Sequence, residues 1–135
     1  MSEYGFERQV DASFETAMEA VKESLKAEGF GVLTTIDVQE KFKEKLGIDF
    51  EKYVILGACD PKSAHKAIQA EQNIGLMLPC NVIVYEHEGQ VTVSAIRPTV
   101  AMQMIDNRDL SNVAADVERR LKMVLDSMQT ARVSS

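Results

Sequence analysis

The chain has 135 residues, the size of one domain, with 45% hydrophobic and 27% charged residues, an ordinary globular balance that can bury a core without disulfides or metal. Only 3 prolines and 7 glycines exclude a mainly disordered or collagen-like chain. Lys and Arg number 15 against 21 Asp and Glu, a net charge of −6, which argues against a broad nucleic-acid footprint; the densest basic run, Lys41 to Lys45, is interrupted by Glu44 and reads as a solvated helix face.

Tyr4 to Val10 alternates as a strand, with Tyr4, Phe6 and Arg8 facing one way and Val10 continuing the pattern. Asp11 or Ser13 caps a helix over about 13–28, whose Phe14, Ala17, Met18, Val21 and Leu25 share one face. Gly29 stops it. The β-branched run Gly31 to Ile36 is a second strand. Asp37 and Glu40 form a capping box for a short helix bearing Val38, Phe42 and Leu46, ended by Gly47. Tyr53 to Cys59 is apolar almost throughout and reads as a central strand. Asp60 then caps, and Pro61 starts, a helix with Ala64, Ala67 and Ile68 on its buried face. Gln69 to Leu78 is expected to return in extended form.

Asn81 to Glu86 reads as a fourth strand, Glu86 to Gly89 as a hairpin turn and Gln90 to Ile96 as a fifth strand. After a loop carrying Met102, Met104 and Asp106, a long helix over about 110–130 has the apolar stripe Leu110, Val113, Ala114, Val117, Leu121, Val124, Leu125 and Met128. Ala131 to Ser135 is expected to fray. The expected fold is α+β, a single domain with an ordered core over about 4–130. Its curved, mostly antiparallel five-stranded sheet follows the order β-α-β-β-β-β-α, with two short inserted helices and the long helices on one face.

The longest uncharged run, Gln72 to Tyr85, includes Gln72, Asn73, Pro79 and Asn81 and is no membrane span. Met1-Ser2-Glu3-Tyr4 has neither the basic start nor the apolar stretch of a signal peptide. The expected location is cytoplasmic, with Cys59 and Cys80 reduced; neither nucleic acid nor membrane is an expected partner.

The residues that draw attention are Cys59-Asp60-Pro61 and Leu78-Pro79-Cys80-Asn81. One cysteine ends a strand and the other opens the next. If those strands are antiparallel neighbours, both thiols lie at the same end of the sheet. Cys59 then also sits at a helix start, where the dipole is expected to favour the thiolate. Three uses stay open. The thiols can be packing residues. They can serve redox or sulfur transfer through Cys80 and Cys59. Or they can bind a soft metal, zinc or copper, with His65 as a third ligand; no CxxC pair supports the two sharper uses. The candidate ligand-binding set is Cys59, Asp60, Pro79, Cys80 and Asn81. His87 between Glu86 and Glu88 reads as a surface turn residue, and Arg97, Asp106 and Arg108 as surface ion-pairing groups. No phosphate loop, nucleophile elbow or HExxH motif is present.

Gly57-Ala58-Cys59-Asp60-Pro61, followed by Leu76 to Glu86 with its Leu78-Pro79-Cys80 and continued by Gly89, Val91, Val93 and Pro98, resembles the domain-of-unknown-function family 302 over about 4–128. The resemblance implies a TATA-box-binding-protein-like fold of order β-α-β-β-β-β-α in small cytoplasmic proteins that often form dimers. Asp60 stands where many members have Asn; both cap helices. The resulting expectation is a non-catalytic homodimer that binds a small ligand or a soft metal. The alternatives are a thiol-based redox or sulfur-transfer protein and a structural homodimer without ligand. A small domain with an open sheet must manage its edge strands, and pairing them is one solution.

Overall fold

Residues 3–129 are described by the computed structural model. Strand β1 (Gly5–Val10) leads through Ser13, whose hydroxyl accepts from the Thr16 N–H at 3.1 Å, into α1 (Phe14–Ala27). Then come β2 (Gly31–Asp37), α2 (Val38–Leu46), β3 (Tyr53–Cys59) and α3 (Pro61–Ala70). A 3₁₀ helix over Gln72–Met77 precedes β4 (Cys80–His87), β5 (Gln90–Ile96), the short α4 (Pro98–Ala101) and the long α5 (Arg108–Gln129). The expected ends of α5 at Thr130 and of the frayed tail lie outside the described residues.

The strands form one curved, open antiparallel sheet in the order β1-β5-β4-β3-β2. This is an α+β fold, as the sequence pattern predicts. Alternation divides the sheet into two faces. Phe6, Val10, Leu56, Val82, Val84 and Val93 point to the helix side, where Val21 and Leu25 of α1 and Leu121, Val124 and Leu125 of α5 cover them. Every apolar residue assigned to the α1 stripe is buried. Arg8, on the same side, reaches Asp126 of α5 at 2.7 Å. The other face carries Tyr53 stacked on Tyr85, their ring centroids 5.5 Å apart.

A smaller apolar cluster of Ala67, Ile74, Met102, Leu110 and Ala114 lies beside the main core. It corrects two expectations. Gln69 to Leu78 is not extended: α3 runs to Ala70, and the 3₁₀ turn follows because it places the fully buried Ile74 in this cluster. Ile68 is not on the buried face of α3 but 37% exposed, because the helix packs through Ala67, one helical step away. Tyr4 is also outside β1 and exposed.

The β4–β5 hairpin closes through Glu88 and Gly89, both at positive φ (51° and 80°), the backbone that a tight two-residue hairpin turn requires. Beside it His87 pairs through Nδ1 with Glu51, and the Glu88 N–H donates to the same carboxylate at 3.1 Å. No helix among the described residues is long and apolar enough to cross a membrane.

Candidate functional site

β3 and β4 are antiparallel neighbours, with Ala58 opposite Cys80. The end of β3, Cys59, and the start of β4, Cys80, therefore lie at one end of the sheet. A cleft opens there at the seam between the two apolar clusters. Its floor is Ala58, Cys59, Pro79 and Cys80; α3 contributes Ser63, Ala64 and Ala67. Pro98 and Met102 close one side, and Leu110, Val113, Ala114 and Val117 of α5 form the far wall. The interior space is about 30 Å³, room for about two waters.

Local chemistry fixes each wall. Asp60 caps α3: its Oδ1 accepts from the Lys62 N–H at 3.2 Å and its Oδ2 from the Ser63 hydroxyl at 2.8 Å. Asn107 caps α5 by accepting from the Leu110 N–H at 3.1 Å, and it donates to the Ala70 carbonyl at 2.7 Å, so one residue ties the end of α3 to the start of α5. Glu118 of α5 accepts from the Thr99 N–H at 3.0 Å and the Thr99 hydroxyl at 2.6 Å, which holds α4, and with it Met102, against the cleft. The peptide bond between Leu78 and Pro79 is cis. The Pro79 ring lies over Gly57, where an added Cβ would stand 2.8 Å from the Pro79 Cγ and collide with the Thr34 hydroxyl.

Beside the cleft is a charge network that the sequence reading missed. Arg120 donates through Nη2 to Asp60 at 2.7 Å, to the Ser63 hydroxyl at 2.9 Å and to Asp116 at 3.1 Å, and through Nη1 to the Glu28 carbonyl at 3.0 Å. Its guanidinium lies 5.0 Å from the Phe30 ring centroid. Both Arg120 and Asp60 side chains are largely withdrawn from water, at 16% and 14% exposure. Burial pushes the Asp60 carboxyl up, but the Ser63 and Arg120 hydrogen bonds, the Arg120 charge and the Lys62 N–H outweigh it and hold its pKa below the ordinary value. Arg120 adjoins the α5 stripe at Leu121, and its partner is 60 positions away, so no local pattern announces the pair.

Both thiols are free. Burial, and secondarily the nearby Cys59, push the Cys80 thiol up to about 11. Burial and the adjacent Asp60 carboxylate raise the Cys59 thiol as well. At this helix start, burial first and the Asp60 charge second act against the expected thiolate at Cys59.

Of the residues singled out in the sequence, Cys59, Asp60, Pro79 and Cys80 line the cleft. Asn81 does not. It follows Cys80 on β4, so the strand pleat turns it to the opposite face, near Tyr4, Ile83 and Ile96. His65 is not among the lining residues, and among the described residues no three His, Cys, Asp or Glu side chains are grouped to hold a metal ion. Arg97 is an ion-pairing group, 3.3 Å from Glu118.

The comparisons with known proteins bear on the whole chain. Residues 6–128 match the family model described as Domain of unknown function DUF302. The crystal structure of an uncharacterized conserved protein DUF302 from Bacillus stearothermophilus is similar at a TM-score of 0.87 with 35% identity, covering 94% of this chain and 99% of that one. No curated protein matches the chain significantly. The match spans the sheet, both long helices and every residue of the cleft, and on that extent the chain belongs to the DUF302 family.

Proposed function

We propose that the protein is a binding protein whose cleft between β3, β4, α3, α4 and α5 receives a ligand of only a few atoms. One observation carries this reading. The cleft is an almost wholly apolar space between these five elements, with the buried Cys80 at its floor. The charge beside it is already spoken for, since Asp60 and Arg120 satisfy each other. The thiols' raised pKa values favour neutral sulfur at neutral pH, a poor nucleophile, and weigh against redox or sulfur-transfer chemistry. Xenon, which enters small apolar cavities, tests the cleft. It is expected to shift the methyl resonances of Ala67 and Ala114, and Ala114→Phe is expected to abolish the effect. Absence of any shift in the unaltered protein contradicts the reading.

A second observation favours self-association. Strand β2 is a sheet edge with no neighbour on its outer side among the described residues. Leu33, Ile36, Leu46, Ile48 and Phe50, all exposed, fall on β2, α2 and the loop after it. An edge of this kind invites pairing. We propose that a second copy covers it.

A further inference from the structure

Helices α1 and α5 cover one face of the sheet. On the other face the register aligns Ile36 of β2, Ile55 of β3 and Ile83 of β4 in a row across the strands. Tyr53 and Tyr85 stand stacked in the next row. Neither apolar cluster of the core includes any of these side chains. We propose that a second copy of the chain packs its sheet against this face, with the isoleucine row at the centre of a two-fold contact. The inference rests on the self-association reading above and extends that contact from the β2 edge over the sheet.

The strands themselves call for a second cover. A strand with one face in water alternates apolar with polar residues, whereas one covered on both sides is apolar throughout. Tyr53 to Cys59 and Val82 to Tyr85 follow the second pattern, and the chain's own helices supply one cover. Charge names the occupant. The chain carries a net charge of −6, so two copies repel over most of their surfaces. Along β3, β4 and β5 this face presents no Asp, Glu, Lys or Arg side chain. Its charges lie at the rim, at Glu7 on the β1 edge and at the His87–Glu51 pair beside the hairpin turn. Identical copies meet here without like-charge repulsion, apolar at the centre and polar at the rim, as interfaces are built; a charged partner finds no opposite charge along the central strands. Size is adequate. Strand spacing and rise give the five-stranded face a footprint of roughly 24 Å by 20 Å. With the relief of its side chains and the adjoining exposed Leu33, Leu46 and Phe50, this is on the scale of the roughly 800 Å² that each partner buries in a stable complex. Two sheets stacked in this way pack about 10 Å apart.

The test joins sedimentation equilibrium to NMR on dimers mixed from isotope-labelled and unlabelled full-length chains. The expected result is a dimer in which intermolecular nuclear Overhauser effects reach the Ile55 and Ile83 methyl groups and the Tyr85 ring. Ile83→Lys puts a charge at the centre of the face. It is expected to raise the dimer dissociation constant at least about thirtyfold, the weight of a central interface residue, while circular dichroism shows the fold intact. If Ile83→Lys does not fold, the intermolecular effects in the unaltered protein decide alone. A dimer whose intermolecular effects are confined to Leu33, Leu46 and Phe50, or one that Ile83→Lys leaves equally tight, overturns the inference and leaves the β2-edge reading standing. A monomeric unaltered protein overturns both.

Discussion

At Cys80 the surroundings decide the chemistry. The side chain is 8% exposed and its thiol is raised to about 11 from an ordinary value of 9.0. A group whose pKa is raised by folding contributes stability below its unfolded pKa and loses it as pH climbs through the folded one. The protein should therefore lose stability between about pH 9 and 11 in urea unfolding, and Cys80→Ala should flatten that alkaline limb. An identical limb in the variant contradicts the assignment. Asp60 behaves in the opposite sense. Its lowered pKa contributes stability above the unfolded value, and this is lost as pH falls below about 4. Arg120→Met leaves that carboxylate partly buried without its cation, and a loss of about 2 kcal/mol is expected. Adding Asp60→Asn should recover part of it. Strict additivity in the double-mutant cycle would mean that the pair is not coupled.

Among the elements, the clearest constraint is the approach of Pro79 to Gly57. A methyl group at Gly57 meets the Thr34 hydroxyl of β2 and the Pro79 ring at once, so at least one of them must shift. Gly57→Ala is expected to cost about 1–3 kcal/mol by overpacking. A denaturation midpoint equal to that of the unaltered protein contradicts the close contact. The same region shows what local pattern can and cannot convey. Both long helices are legible because each repeats an apolar period of 3.6 over a full element, and the strands because they alternate or form short apolar or β-branched runs bounded by turn residues. The 3₁₀ turn is not, because Gln72–Met77 is a single turn-like segment whose one fully buried residue, Ile74, sets no period. Asn81 was legible in principle: the strand pleat turns it away from the face that Cys80 shares with Val82 and Val84. The cleft's two cysteines stand out in the sequence. Its α5 wall does not, because Leu110, Ala114 and Val117 read as ordinary core and only the packing of α3 and α4 on α5 brings them to the cleft.

For the molecule as a whole, the open edge and the cleft are separate features with separate consequences. Pairing through β2 predicts a homodimer in sedimentation at tens of micromolar, a concentration range where a weak dimer is populated. Leu33→Lys, a charge on the exposed edge, is expected to shift it toward monomer. A monomeric unaltered protein contradicts the pairing. Leu33 is not among the residues that line the cleft, so ligand uptake should survive in the Leu33→Lys variant.

The central claim is that the cleft holds a small occupant, and native mass spectrometry of the freshly purified chain, with and without chelator and reductant, tests it most directly. The expected spectrum shows one added mass per chain, absent from Ala114→Phe, whose new ring fills the cleft beside α5. The bare reduced mass of the chain under every condition would contradict it and leave Cys59 and Cys80 as packing residues.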